Sequence, residues 1–403
     1  MDILPILSTL RRHKTAALLI VLEIALTCAI VCNAVFLIAN RIERMATPTG
    51  LAESELLHVR VTNIERIGNE DALTLEDLAL LRGLPGVKSA ASVNQFPFGN
   101  HSSDTGISLV PDQPASTLTA SFYQVGESAL STLGLRVVEG RDFTPADFRT
   151  LSEVEHDEKI VLPTVMLDRK TAARLFPGKA AIGQQIYLFD KPSLVVGLVE
   201  QLAPPQPLNA DGDYVVIVPV RPSYNQGSYL LRVAGNQRNE VLKAAVAALE
   251  KVDRRRVVTK SELFDELRQD YYQQDRWMAA LLVAVCVALL VVTAFGIVGL
   301  ASFWVQQRTR MIGVRRALGA SRSQILRYFQ TENFLLTTMG IALGMVAAYA
   351  INQLLMSYYE LPRLPWVCLP IGAASLWALG QVAVLGPARR AAALPPVVVM
   401  RGA

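Results

Sequence analysis

The chain has 403 residues, of which 51% are hydrophobic and only 18% charged, with a formal net charge of +4. That balance excludes a disordered chain, which could not bury so much apolar surface, and suits a protein partly dissolved in lipid. The four cysteines, Cys28, Cys32, Cys286 and Cys368, lie in or beside apolar runs, so no disulfide framework is available to the rest of the chain.

A helix needs about 20 apolar residues to cross a bilayer core. The first such run covers residues 16–39, after Arg11, Arg12 and Lys14. It is longer than the core of a signal peptide and lacks a small-x-small cleavage site, so it reads as a true span. "NRIERMA" extends it until Pro48, which predicts a first span and stalk over 16–46. An ordinary juxtamembrane helix is the competing reading of that extension. Glu23 lies inside the span with Thr27 one turn on. An ionisable group there is a functional candidate by default, set against a carboxylate that simply faces the helix bundle. Cys28 and Cys32 share a helix face and read as small buried hydrophobes.

Residues 39–276 hold 31 acidic and 26 basic side chains, a net of −5. A core domain is expected over 47–260. "ELLHVRV", "LTLEDLALLRGL" and "GVKSAASV" read as strand, helix and strand, and "SYLLRVAG", "RNEVLKAAVAALEKV" and "RRRVVTK" repeat that order. Two such units flanking an insert predict a split ferredoxin-like subdomain with a second subdomain inserted in it. The insert contains a helix from Asp168 to Phe176, a Pro177-Gly178 turn, and two buried strands in "SLVVGLVEQL" and "DYVVIVPV". His156 in "EVEHDEK" reads as part of a solvated acidic loop rather than a metal cluster. "DRRRVV" reads as a solvated turn, since a nucleic-acid patch would need interleaved aromatics and a basic surround. Over 261–307 a stalk helix is expected, capped by Ser261 with Phe264, Leu267 and Tyr271 on one face, running unbroken into a second span at 278–305.

Residues 308–331 carry six arginines and no acid from Arg308 to Phe329. Gly319 is placed to end a helix as a left-handed cap, and Ser321 with Gln324 forms a capping box for the next. Met311, Val314 and Leu318 share one face, while Arg308, Arg315 and Arg322 recur at sevens on another. A generic positively charged anchor would need only the charge. The third span, 332–357, opens with Glu332 and carries Gly340, Gly344 and Ala348 as a smooth packing stripe, used within the chain or between two copies. The fourth, 367–386, is followed by Arg389, Arg390 and Arg401. Arg-rich short loops stay in the cytoplasm, so residues 1–15, 308–331 and 387–403 are expected there and the large domain outside. The fold class is a polytopic α-helical membrane protein with four transmembrane helices and a large α+β periplasmic domain between the first and second. GxSxG, SxxK, HExxH and Walker A motifs are absent, which points away from an enzyme.

"RTRMIGVRRALGASRSQILRYFQTENFLL" resembles the cytoplasmic signature of MacB/FtsX-type ABC-transporter permeases, R-x-x-E-I-G-[IV]-R-[RK]-A-L-G-A-x-x-x-x-I, with a Glu opening the next span. It matches at Arg308, Ile312, Gly313, Val314, Arg315, Arg316, Ala317, Leu318, Gly319, Ala320, Ile325 and Glu332, and departs at Met311, where the family has Glu. "VVEGRDFTPAD" and "LFPGKAAIGQQIYL" resemble the family's periplasmic core domain, and "PARRAAALPPVVVMRG" its usual ending. The resemblance implies a permease that pairs with a second copy or a related permease and rests on a separate ABC ATP-binding subunit. That subunit would carry ATP and Mg, with no cofactor or metal bound by this chain. Arg308, Arg310, Ile312, Gly313, Arg315, Arg316, Leu318, Gly319, Ser321 and Glu332 would form the ATPase-coupling block of a mechanotransmission device for export or efflux. Such relatives sit in the bacterial inner membrane, among its lipids, and many work with a periplasmic adaptor and an outer-membrane channel; nucleic acid is not an expected partner. The alternative is an FtsX-like regulatory permease that activates a periplasmic partner without transporting anything.

Overall fold

A computed structural model describes residues 14–64, 68–99, 101–156, 161–206, 213–223, 226–252, 256–359, 365 and 368–393. His13, Arg11, Arg12, Arg254, Arg255 and Arg401 lie outside the described residues, as do residues 1–13 and 394–403 of the two expected cytoplasmic termini. In chain order the elements are α1 (Lys14–Ala46), β1 (Leu56–Asn63), α2 (Glu70–Arg82), β2 (Val87–Ser92), β3 (Asp104–Ser108), β4 (Leu118–Gln124), α3 (Ala129–Leu133), β5 (Val137–Gly140), β6 (Arg149–Thr150), α4 (Leu151–His156), β7 (Thr164–Asp168) and α5 (Arg169–Leu175). They continue with β8 (Gln185–Leu188), β9 (Lys191–Val199), β10 (Val215–Val218), β11 (Val220–Arg221), β12 (Gln226–Val233), α6 (Arg238–Val252), β13 (Arg256–Leu263), α7 (Phe264–Tyr271), α8 (Gln273–Gln307), α9 (Thr309–Ala317), α10 (Arg322–Tyr359) and α11 (Cys368–Ala393). The chain divides into two compact units, one of residues 44–273 and one built from the segments on either side.

In the unit of residues 44–273, β1, β2, β12 and β13 form an antiparallel sheet in the order β13-β1-β12-β2. Two split strand–helix–strand units interleave to give this ferredoxin-like order. Side chains alternate along a strand, so β1 serves two cores. Leu57, Val59 and Val61 pack with Leu78 and Leu81 of α2 and Val241, Ala245 and Leu249 of α6. Leu56 packs on the other side with Phe96, Phe98, Leu230 and Phe264. The inserted subdomain is a seven-stranded sheet, β5-β9-β7-β10-β4-β3-β8, in which β8 also pairs with β9. That last pairing closes six strands into a barrel around Ile107, Val165, Leu167, Ile186, Val195 and Val216. Asp168 caps α5 by accepting the Thr171 N–H at 3.1 Å.

Three local expectations are overturned here. Ser261 lies within β13 and caps nothing; Leu263 precedes α7, and its N–H donates to Glu266 Oε2 at 3.3 Å. The expected unbroken stalk is interrupted at Tyr272, which separates α7 from α8. Arg256, the last arginine of "DRRRVV", is buried rather than solvated. Its Nη1 donates to Asp77 Oδ1 at 2.6 Å, and Asp77 also accepts the Tyr229 hydroxyl at 2.6 Å. With both charges almost fully enclosed, each requires the other.

The other unit contains four helices long and apolar enough to cross a membrane: α1, α8, α10 and α11. Half of the apolar window of α1 is buried, against 17% for α8. Its Ile20, Ile24, Cys28 and Cys32 pack with Ile297 and Ala301 of α8, Leu336, Ile341 and Ala348 of α10, and Ala373 and Leu376 of α11. Arg41 of α1 pairs with Asp275 of α8. α10 runs without interruption from the second coupling helix through Glu332 into the third span, and α11 passes through Pro387 to Ala393.

His58 of β1 is buried beneath Phe96, with ring centroids 4.4 Å apart. Its Nε2 lies 3.0 Å from Ser228 Oγ and its Nδ1 3.4 Å from Glu262 Oε1. Burial pushes the imidazole below its ordinary value, and Arg60 and Lys260 add to this, against the opposing pull of Glu262. The unfolded chain therefore takes up a proton first as the pH falls through about 6.5, so folding loses stability toward the lower folded pKa. The expected outcome is a fall in the unfolding midpoint as the pH is lowered below about 6.5, flattened in His58→Gln and read by denaturant titration of the full chain.

Candidate functional site

The block from Arg308 to Glu332 forms a helical elbow. α9 ends at Ala317 with Leu318 as its C-cap, and Gly319 follows with φ of +96°. The Gly319 N–H reaches Arg316 O at 3.2 Å and the Ala320 N–H reaches Arg315 O at 3.0 Å. These two bonds satisfy the last carbonyls of α9 as a Schellman motif, which requires the left-handed conformation that glycine adopts at low cost. A side chain at this position would meet no atom within 4 Å, so backbone conformation alone asks for glycine. Immediately after, the Gln324 N–H donates to Ser321 Oγ at 3.3 Å and the Ser321 N–H to Gln324 Oε1 at 2.9 Å. This reciprocal capping box starts α10.

Two internal ties hold the elbow to the bundle. Arg308 is buried, and its Nη1 donates to both oxygens of Glu332 at 2.9 and 2.7 Å. Its guanidinium also lies 5.6 Å from the Trp304 ring centre, a cation–π contact. Arg316 Nη1 donates to Ala392 O near the end of α11 at 2.8 Å, a cation placed at the negative end of a helix dipole. Apolar packing supports both ties: Ile312, Ile325 and Phe329 meet Val305, Ala388, Ala391 and Ala392.

The coupling candidates therefore separate into two groups. Arg308, Ile312, Gly313 and Glu332 are buried inside the elbow, and Arg316 is half-buried. Arg310, Arg315, Leu318, Gly319 and Ser321 are exposed. The expected stripe of Arg308, Arg315 and Arg322 does not exist as a surface, because Arg308 turns inward and the Gly319 break puts Arg322 on another helix. The outer face of α9 instead presents exposed Met311, Val314 and Leu318 (83% exposed) with Arg310, and α10 adds exposed Arg322 and Arg327. Beside it a groove of about 210 Å³ runs between α9 and α10, lined by Met311, Ile312, Gln324, Ile325, Tyr328 and Phe329. Arg315 forms one wall with its guanidinium 5.1 Å from the centre of the Tyr328 ring. Neither the Arg308–Glu332 pair nor the Arg315–Tyr328 stack was anticipated as a contact. A lone acid at the start of a span, facing an arginine-rich loop, is the sequence signal that could have paired Glu332.

The remaining candidates lie elsewhere in the bundle. A Cβ on Gly340 would stand 2.7 Å from Ile24, and one on Gly344 would stand 2.5 Å from Cys28 Cβ. Ala348 O accepts Asn33 Nδ2 at 3.2 Å. The small-residue stripe is thus occupied by α1 of the same chain. Glu23 is half-buried against Gly296 of α8, and makes no ion pair or hydrogen bond among the described residues. One turn on, Thr27 and Thr293 share a 2.8 Å hydrogen bond. Ser228, His58 and Glu262 have the order of a nucleophile–base–acid relay, but the ring of His58 is buried under Phe96, so no substrate carbonyl can approach its base nitrogen.

Known proteins resemble both parts of the chain. Residues 18–256 match the MacB-like periplasmic core domain and residues 283–396 the FtsX-like permease C-terminal domain. The chain is 26% identical over 294 residues to the macrolide export ATP-binding/permease protein MacB of Chromobacterium violaceum, covering 70% of this chain and 43% of that protein. It is 27% identical over 296 residues to the ABC transporter permease YvrN of Bacillus subtilis, covering 69% of each. The crystal structure of the periplasmic region of MacB from Actinobacillus actinomycetemcomitans matches 57% of this chain and 97% of that one, with 16% identity and a TM-score of 0.35. The chain belongs to the MacB/FtsX family of ABC transporter permeases, as a multi-pass membrane protein with a periplasmic or extracellular domain. It spans less than half the length of the first of these relatives.

Removing one partner of the buried pair leaves the other charge uncompensated. Glu332→Ala is expected to cost about 3–5 kcal/mol, and the double change Arg308→Met with Glu332→Leu much less. Thermal unfolding of the purified chain in detergent checks both; equal losses in the two variants would contradict the pairing argument.

Proposed function

We propose that the elbow of residues 308–331 is the docking part through which a separate ABC ATP-binding subunit, carrying ATP and Mg, drives this permease. The carrying observation is the outer face of α9, where Met311, Val314 and Leu318 stand exposed with Arg310 and Arg315, while α10 contributes exposed Arg322 and Arg327. An apolar surface bearing exposed cations suits a partner with an apolar pocket and an acidic or polar rim, and such charge complementarity sets register and on-rate. Fold change is not required of the elbow, because the Schellman motif, the capping box and the Arg308–Glu332 pair hold its shape.

In this reading closure of the ATP-binding subunits displaces α9, and α8 and α10 follow because Arg308 and Glu332 join them. Movement passes to residues 44–273 by mechanotransmission along the two chain crossings at 43–44 and 273–274. A second copy or a related permease completes the assembly in a bacterial inner membrane, with the elbow and both termini cytoplasmic. Export or efflux is the output, and a periplasmic adaptor and outer-membrane channel are the further partners in a double-membrane envelope.

Arg315→Glu and Leu318→Asp change exposed side chains only, so membrane insertion and melting should be preserved. Each is expected to lower co-purification of the ATP-binding subunit at least about tenfold, which is about 1.4 kcal/mol of docking energy. Gly319→Val adds no clash but forces a β-branched residue to φ of +96°, at about 1–2 kcal/mol of backbone strain. It should weaken coupling of ATP hydrolysis more than docking. Unchanged association and hydrolysis in all three variants would refute the docking role.

A further inference from the structure

A cavity of about 330 Å³ opens at one end of the closed barrel, lined by Phe122, Leu151, Val154, Leu162, Leu188 and Phe189. Its floor is the barrel core itself, since Phe122, Leu151, Leu162 and Leu188 belong to that cluster. Among the described residues its lining carries two charged groups, Glu155 and Lys191, one of each sign, with Gln124 and Ser193 as further polar groups. The size lies at the low end for small-molecule sites, and barrel mouths are a preferred place for them.

The hairpin that walls this cavity is built against local preference. Leu188 pairs with Lys191, so Phe189 and Asp190 form a two-residue turn, with φ of +51° and +59°. Such turns favour Asn-Gly or Asp-Gly, because both central residues are left-handed. A phenylalanine here is strained and leaves a large apolar ring 63% exposed. The ring stands edge-on to Phe122, with centroids 5.7 Å apart, which places it as the outer wall of the cavity.

We infer that the barrel end is a binding site for a small amphiphile with a single apolar chain, the chain lying against Phe122, Leu188 and Phe189 and the polar head between Glu155 and Lys191. The aliphatic floor selects the chain by burial, and the mixed-charge rim leaves the head near water. This site goes beyond the ATPase-coupling reading and does not depend on it, because binding is read without nucleotide or a partner subunit.

The full chain in lipid nanodiscs is photolabelled with a diazirine derivative of decanoate, and labelled residues are mapped by mass spectrometry. Labelling of Leu151, Val154, Leu162 and Leu188 should saturate and be displaced by unlabelled decanoate. The spanning helices, which label through the lipid, serve as the internal standard. Phe189→Gly keeps the turn in a conformation glycine prefers while removing the wall, and should lower barrel labelling at least fivefold with no loss of melting temperature. Val154→Trp, which fills the cavity, should do the same. Label confined to the spans, or barrel labelling that neither saturates nor responds to the two variants, would overturn the site.

Discussion

Arg308 and Glu332 are opposite charges withdrawn from water, and the form of the elbow depends on their meeting. An isolated charge in such surroundings costs several kcal/mol, so the two are stable only together. Glu332 accepts two hydrogen bonds from one guanidinium nitrogen, and Trp304 offers its ring to the same cation. The pair joins the end of α8 to α10 across the arginine-rich turn. With that junction fixed, the Gly319 break and the Ser321 cap determine which side chains of α9 face outward. The exposed outer face of the elbow is therefore a consequence of a buried interaction.

The two units of the chain are held by different forces. In residues 44–273, water drives apolar side chains together, and both faces of β1 are covered. The spanning helices have no such drive between them, because lipid is as apolar as their side chains, so close fit takes its place. Gly340, Gly344 and Gly372 allow α10 and α11 to approach Ile24, Cys28 and Cys32 of α1 more closely than any larger residue would permit. The cysteines act there as small packing groups, in keeping with their position opposite glycines. α8 remains apolar yet mostly uncovered, as a helix facing lipid or another chain must be.

Much of this was legible in the sequence where periodicity and composition carry the information. The four apolar helices, the repeated strand–helix–strand order, the helix starting at Asp168 and the Gly319–Ser321 elbow all arise from residues near one another in the chain. Contacts across long separations were not legible. Arg256 was read as a solvated arginine because its partner, Asp77, is 179 residues away. Arg308 was read as part of a surface stripe because heptad spacing says nothing about Glu332 folding back onto it. Ser261 failed as a cap because β13 continues two residues past it, an extension set by pairing with β1 rather than by local preference.

The elbow and the barrel hairpin place an exposed apolar residue beside a left-handed backbone position, but they meet that requirement differently. At the elbow, glycine takes the left-handed conformation and Leu318, one residue earlier, carries the apolar surface. The conformational requirement and the exposed apolar surface are separated, so the cap stays unstrained whichever side chain stands at 318. At the hairpin Phe189 must do both. A substitution there that relaxes the backbone also removes the ring, and one that keeps a ring keeps the strain. The hairpin couples backbone conformation to the wall of the cavity, whereas the elbow isolates the two, and on physical grounds the elbow is the easier surface to re-shape.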